Sequence, residues 1–373
     1  MASEQYAEPT LPGTIPAGEG GVPPAPSGVS IEGRSPWYLA YRRLRRNKVA
    51  LAFGALFLLI VIACLAAPIW ANDFAHTGPN DERINGSIMI DGHRTPIVST
   101  GTLGHLGTTL LGPGLHAQYL LGSDANGRDV MVRLLYGGRV SLYIAVMAAL
   151  VTMILAVILG VLAGYRRGWV DAVISRTLDI IWAFPALLLG IALGTALAVS
   201  GSGLSISVPF TSINLLTLQS GSLWIPILII GIVYVPYPAR PIRGQVLALR
   251  EKEFVEAAVA QGMGPLRIMF SQILPNLVST LVVFFAISMA NNMLFEAALS
   301  FLGAGVQPPQ SSWGTMISDG YQVITTAPWL TIAPGLMITL TVMSLFVFGD
   351  GLRDALDPRA KLRLEEAGKV KDR

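Results

Sequence analysis

The sequence predicts an all-α polytopic membrane protein, and three observations lead there. The 373 residues are 52% hydrophobic and only 13% charged, where ordinary soluble domains carry roughly 25% charge. Residues 180–239 run without one charged side chain, far beyond the about 20 apolar residues one helix needs to cross a bilayer. Lys and Arg gather at alternate ends of the uncharged runs, as expected when positive loops stay in the cytoplasm. In lipid every backbone N–H and C=O must bond within its segment, so the spans are read as helices.

In chain order, residues 49–72 give span one (TM1) and residues 140–165 span two. The run 180–239 divides at 200–222, where Ser, Gly, Thr, Asn and Gln collect, into spans three and four. Span five lies within 268–295 and span six within 320–349, both uncharged. These six transmembrane helices place TM2 to TM6 in a membrane core over 139–350. Before span one sit Arg42, Arg43, Arg45, Arg46 and Lys48; between two and three, Arg166, Arg167 and Arg176; between four and five, Arg240, Arg243, Arg250, Lys252 and Arg267; after six, Arg353, Arg359, Lys361 and Arg363. Loops 200–222 and 302–327 contain no Lys or Arg. The N- and C-termini are therefore expected to be cytoplasmic.

Residues 1–35 are rich in Pro, Gly and Ser without an apolar core; they are expected to be a disordered cytoplasmic tail rather than a signal peptide. Residues 36–48 read as a basic amphipathic segment on the membrane surface, or as a simple topology signal. Residues 73–138 form an extracytoplasmic loop long enough to be exempt from the charge rule. Within it "SIMIDGHRTPIV" alternates around Asp91-Gly92 as a hairpin does. Residues 351–373 are expected to be a cytoplasmic C-terminal tail.

Several chemistries are missing. The histidines His76, His93, His105 and His116 lie in the outer loop with no pair at helical spacing, so no metal site is expected. There is no phosphate-binding G-x-x-x-x-G-K-[ST] loop and no G-x-S-x-G elbow. Cys64 is the one cysteine, inside an apolar run, and reads as packing. The formal net charge of +3 gives no sign of a nucleic-acid partner.

Polar groups at membrane depth are few: Asp179 at the start of span three, and Asn291, Asn292 and Glu296 late in span five. Charge in lipid is costly and marks function by default, although Glu296 also fits a cap or pair at the outer interface. "DANGRDVMVRLLYG" reads as a turn with Asp124, Gly127, Arg128 and Asp129, leading into a short helix. That element is either an extracytoplasmic gate or docking surface, or a helix cap with an ion pair. Trp313, beyond Pro308-Pro309, either lines the outer mouth or anchors at the interface.

The segment "EFVEAAVAQGMGPLRIMFSQILPN" (253–276) stands apart in this apolar chain. Its first half has good helix formers. Gly262 suits the left-handed residue that ends a helix, and Pro265 suits the first position of the next. Leu266, Met269, Phe270 and Ile273 then form one apolar face, and Pro275 is expected to stop that helix before span five. Ala257 and Ala258 are small enough for close approach, with Glu256 at the edge. On these grounds alone the segment is either an amphipathic linker or a helix–turn–helix presented to the cytoplasm.

The spacing of Glu256, Ala257, Ala258, Gly262, Leu274 and Pro275 resembles the EAA motif of ABC-importer permeases, with Gln272 departing from the general pattern as in the dipeptide/oligopeptide branch. "LGSDANGRDVMVRLLYGGRVSL" (121–142), "LSFLGAGVQPPQSSWG" (299–314), "GDGLRDALDPR" (349–359) and the stretch from Arg42 to Ile69 resemble further segments of that branch. Together they cover nearly all of 36–363; residues 1–35 and 73–120 match nothing in it.

The resemblance implies a C-type permease subunit with the type I ABC importer fold, in a bacterial or archaeal plasma membrane. It would pair with a homologous B-type permease, two cytoplasmic ABC ATPase subunits and an extracytoplasmic substrate-binding protein within the lipid bilayer. ATP and Mg would be bound by the ATPases, with no cofactor in this chain, which would be a non-catalytic subunit moving by alternating access. The coupling segment 251–275 would seat on an ATPase through Glu256, Ala257, Ala258, Gly262, Gly264, Pro265, Arg267, Leu274 and Pro275. The substrates implied are di- and oligopeptides; nickel chelates, glutathione and other small solutes use similar permeases. A stand-alone secondary transporter would want coupling acids or broken helices at mid-membrane, where only Asp179 and Glu296 come near. A membrane enzyme would need a convergent catalytic set that this sequence lacks.

Overall fold

Backbone hydrogen bonding dominates the computed structural model of the chain, which describes residues 36–90, 92–100, 108–199, 204–207, 214–218 and 221–356. The expectations for the tail 1–35, for Asp91, for His105 and for residues 357–373 lie outside these residues. Helix α1 (Pro36–Leu44) packs against the last of the described helices, Trp329–Leu356. Asn47 then caps α2 (Lys48–Leu65), its side chain accepting from the Ala50 N–H at 3.0 Å. Span one runs on through α3 (Ala67–Ile69) and a π-helical turn, Trp70–Ala75, and ends at left-handed His76.

The following loop has its own small core. Strands β1 (Ser87–Ile90) and β2 (His93–Pro96) pair antiparallel, with Ile90 opposite His93. Gly92 supplies the positive φ of 81° that a two-residue turn requires, so the predicted hairpin is present. Strands β3 (Val98–Thr100) and β4 (Thr108–Leu110) pair beside it, and Ile88, Ile97, Val98 and Tyr119 are buried together.

Helix α4 (Val130–Arg166) is the central helix, 37 residues long. The short helix predicted after Asp129 is not separate; it continues into span two through Gly137 and Gly138. The two glycines do not break it because a neighbour fills their space: a Cβ on Gly138 would lie 2.6 Å from Trp313 Cζ2. α5 (Gly168–Ala183) occupies what reads as a charged connection in the sequence, and it meets α6 (Ala186–Val199) at 85°. Strands β5 (Leu204–Ser207) and β6 (Asn214–Leu218) pair within the expected polar loop. α7 (Trp224–Val233) and α8 (Pro236–Arg250) meet at 45°. The stretches 168–199 and 224–250 are thus bent helix pairs rather than straight rods, because Pro185 and Pro236 remove N–H donors and crowd the preceding turn.

α9 (Glu253–Ala260) and α10 (Pro265–Ile268) flank Gly262. Pro275 does not stop the helix. A π-helical segment, Met269–Ile273, widens the turn and joins α10 to α11 (Leu274–Phe301) as one rod. The wider turn accommodates a residue with no N–H. The extra residue also shifts the helix register: Met269 and Ile273 are buried while Leu266 and Phe270 are exposed. The predicted four-residue apolar face is therefore split. α12 (Trp313–Tyr321) forms inside the second expected loop, with a Ser312–Thr315 capping box, and α13 (Trp329–Leu356) closes the bundle.

Among the described residues, four helical rods are long and apolar enough to cross a membrane: Lys48–Leu65, Val130–Arg166, Pro265–Phe301 and Trp329–Leu356. The count reaches six if each bent pair is one span. One buried cluster gathers residues of α2, α4, α11, α12 and α13 around Trp313, and a second joins α4 and α8 to the 253–277 segment.

Candidate functional site

The predicted residues assemble at opposite ends of α4. At its C-terminal end lies the helix–turn–helix of 253–268. Met263 N–H bonds Ala258 O at 3.1 Å and Gly262 N–H bonds Val259 O at 2.9 Å, the paired bonds of a left-handed helix stop. Gly262 has φ 77° and open space around it. Gly264 precedes α10 in extended conformation, with Pro265 at the start of the helix.

The side chains divide into two sets. Val255 and Ala258 turn inward with Ile268 and Met269, so the small size of Ala258 serves packing within the chain. Glu256, Ala257, Gly262, Gly264, Pro265 and Arg267 are exposed. Neither Glu256 nor Arg267 forms an ion pair among the described residues. Leu274 is half-buried and Pro275 exposed. Two side chains occupy carbonyls around the π turn: Ser271 Oγ donates to Arg267 O and Asn276 Nδ2 to Gln272 O, each at 2.6 Å. What this end offers is a charged-edged knuckle on which Glu256 and Arg267 are exposed and form no ion pair among the described residues.

At the N-terminal end of α4 the 123–133 turn is built by two carboxylates. Asp124 Oδ1 accepts from the Asn126 and Arg128 N–H groups, both at 3.0 Å, and its Oδ2 accepts from Arg128 Nε at 2.7 Å. Asp129 caps α4, accepting from Met131 and Val132 N–H, and reaches back to Tyr119 N–H at 2.7 Å. Gly127, at φ 73°, brings its backbone against Arg83 so closely that a Cβ would sit 2.5 Å from the Arg83 carbonyl carbon. Tyr119 donates its hydroxyl to Gly127 O at 2.9 Å, and burial pushes its phenol up to about 12.

Sequence reasoning missed two members of this cluster. Asp319 on α12 accepts from Arg128 at 3.3 Å and from Arg133 at 3.5 Å. The Arg133 side chain is 5% exposed and also lies 3.5 Å from Asp124. Burial raises the Asp319 carboxyl while Arg133 and Arg128 pull it down. Two cavities, of about 210 and 650 Å³, are lined in part by both arginines and Asp319. The turn is thus a helix cap and an ion-pair centre at once, tied to a helix remote in sequence.

Trp313 neither lines a mouth nor anchors at an interface. It is wholly buried, its N–H donating to Ser141 Oγ at 3.1 Å and its indole to Leu134 O at 2.9 Å. Satisfying the indole inside the bundle removes the reason for it to seek the interface. Glu296 is also fully buried; Oε1 accepts from Ser300 Oγ at 2.7 Å, and Oε2 has no hydrogen-bond partner among the described residues. Asn292 is buried and Asn291 half-buried on the same helix. Asp179 is half-exposed and pairs with Arg240 of α8 at 2.9 Å.

Residues 156–362 match the family described as "Binding-protein-dependent transport system inner membrane component", and residues 35–85 match "N-terminal TM domain of oligopeptide transport permease C". A dipeptide transport system permease protein of Alkalihalophilus pseudofirmus is 36% identical over 329 residues, 88% of this chain and 91% of that one. A glutathione transport system permease protein of Pectobacterium atrosepticum is 35% identical over 88% of this chain and 93% of its own length. An oligopeptide transport system permease protein of Haemophilus influenzae is 32% identical over 89% and 91%. Among solved structures, the inward-facing MetNI methionine ABC transporter aligns with a TM-score of 0.47 at 19% identity, over 61% of this chain and 97% of that one.

Proposed function

Because the chain belongs to the family of binding-protein-dependent transport inner membrane components, we propose that it is the C-type permease of an ATP-driven importer of di- and oligopeptides. The permease names of its relatives support the peptide substrate. In this reading it forms half of a translocation pathway with a homologous B-type permease, crosses a bacterial or archaeal plasma membrane six times, and keeps both termini in the cytoplasm. Two cytoplasmic ATPases bind ATP and Mg and perform the hydrolysis; this chain is not an enzyme. An extracytoplasmic protein delivers substrate to the end of the bundle that carries Asp124, Gly127, Arg128 and Asp129.

One observation supports the assignment: the knuckle at 253–268 has its turn closed by two backbone hydrogen bonds around Gly262, yet Glu256 and Arg267 form no ion pair among the described residues. Such an element transmits force when a partner grips it. Seated in an ATPase groove, it would carry ATP-driven closure into a rigid-body switch between inward- and outward-open states. The second reading is the same machinery importing glutathione, favoured by the name of one relative; a nickel chelate or another small solute would use it in the same way.

The test is purification of the tagged chain from its native operon background, followed by reconstitution with its binding protein. Copurifying ATPases and ATP-driven uptake of labelled dipeptide are the expected result. Uptake that persists without ATPases would sink the proposal in favour of a secondary transporter. ATP-driven uptake of glutathione but not dipeptide would move it to the second reading.

A further inference from the structure

The sixteen residues of α5 have a weak apolar hold on the bundle, since Leu178 is the one buried side chain in that helix. Charge holds it instead, and the opposite charges all come from α8 or the residue after it. Arg243 grips Asp171 with two parallel bonds, Nε to Oδ1 at 2.5 Å and Nη2 to Oδ2 at 2.6 Å. Ser175 donates to the same carboxylate at 3.1 Å, fixing its orientation from within α5. Arg240 bonds Asp179 at 2.9 Å and lies 5.4 Å over the Trp182 ring. At the helix junctions, Arg167 meets Glu251 at 2.5 Å, and Arg250 donates to Tyr165 O at 2.7 Å while lying over that ring.

These contacts differ in strength. Arg167–Glu251 and Arg240–Asp179 are between 44% and 69% exposed, and such pairs contribute little. Asp171 and Arg243 are 17% and 34% exposed and meet side-on through two bonds, the geometry that fixes orientation as well as distance. α8 is itself locked to α4: a Cβ on Gly160 would lie 2.8 Å from Ile242 Cγ2, and one on Gly164 2.7 Å from Val246 Cβ. Two residues, Glu251 and Lys252, separate α8 from α9. α5 is therefore strapped to the helix that leads into the knuckle, and beyond α5 the chain turns by 85° into α6.

We propose that the Asp171–Arg243 pair is a positioning contact of the transport cycle: it makes α5, and through the bend before Pro185 the third span, follow α8 when the knuckle is displaced. The inference rests on the importer reading above. Asp171 and Arg243 touch neither substrate nor nucleotide; they act by holding two helices in one orientation. Losing the pair lets α8 move without α5, so hydrolysis continues while less substrate crosses.

The experiment uses the whole importer in proteoliposomes, with uptake and ATP hydrolysis measured together. Asp171→Asn and Arg243→Gln should raise the ATP spent per substrate about fivefold or more. The reversal, Asp171→Arg with Arg243→Asp, should recover much of the coupling. Arg243→Lys keeps the charge but cannot bond both oxygens at once, and should fall between. A wild-type ratio in the assembled single variants overturns the proposal, as does a proportional loss of uptake and hydrolysis that the reversal fails to repair. If the neutral variants do not assemble, Arg243→Lys decides: a wild-type ratio in that complex is equally fatal. Absence of ATP-driven uptake by the unaltered complex would instead refute the importer reading, before any variant is compared.

Discussion

The Trp313 ring packs against Gly138, its indole N–H bonded to Leu134 O at 2.9 Å one helical turn earlier. A Cβ on this glycine would meet Cys64 Sγ of α2 and the Trp313 ring of α12 together, so both neighbours fill the space it leaves. Gly138→Ala should cost about 1–3 kcal/mol through overpacking. Gly137→Ala, whose Cβ would find its nearest neighbour at 3.3 Å, should cost less. Thermal unfolding of the two variants in detergent compares them directly; equal midpoints would contradict the packing account.

Asp124 and Asp319 share the same two arginines but not the same burial: their side chains are 9% and 50% exposed. Asp124→Ala removes the turn's acceptor and leaves Arg133 buried with its better-shielded partner gone, a loss of about 3 kcal/mol. Asp319→Asn breaks an exposed pair and should cost at most about 1 kcal/mol. Unfolding midpoints that rank the other way would show that α12, not the turn, anchors the cluster.

Tyr119→Phe deletes the hydroxyl that bonds Gly127 O and should cost about 1–2 kcal/mol at neutral pH. The phenol's value rises from 10.0 to about 12 in the fold, so folding favours the neutral form. Its contribution is full below pH 10 and is lost as pH climbs through about 12. The stability gap between wild type and Tyr119→Phe should therefore narrow across that window and stay constant below it.

Gly262→Val places a β-branched residue at φ 77° in open space, so the cost is backbone strain of about 1–2 kcal/mol. ATPase copurification should fall. Gly262→Asn, which tolerates the left-handed conformation better, should retain more. Wild-type recovery with the valine variant would mean the turn is not held by its partner.

Glu256→Lys reverses an exposed charge without touching the packed face of α9. The complex should still form in part, with uptake falling about tenfold relative to ATP hydrolysis. Unchanged uptake by this variant would remove Glu256 from the coupling contact.

Local chemistry was readable in the sequence wherever one residue type has one use. Gly92 turned the hairpin, Gly262 and Pro265 broke and restarted the helix, and Asp129 capped α4. Direction was not readable: hydropathy counts apolar residues but does not say that Pro185 turns the chain by 85°. Pro275 was misread because a π turn can absorb the missing N–H before it. Trp313 was misread because an aromatic in a polar loop beyond two prolines looks the same whether it meets lipid headgroups or a glycine on another helix. Asp319 left no local trace, since its partner Arg128 is 191 positions away.

The π turn at Met269–Ile273 has a mechanical consequence. Because it bridges the prolines instead of breaking at them, Pro265 and Phe301 are the two ends of a single 37-residue arm, about 55 Å long at 1.5 Å per residue. A tilt of such an arm taken as one body is carried along its whole length. Each degree of rotation at the Pro265 end reappears as about 1 Å of sideways travel near the other, where Glu296 and Ser300 are bonded together. Leverage is therefore built into the backbone itself.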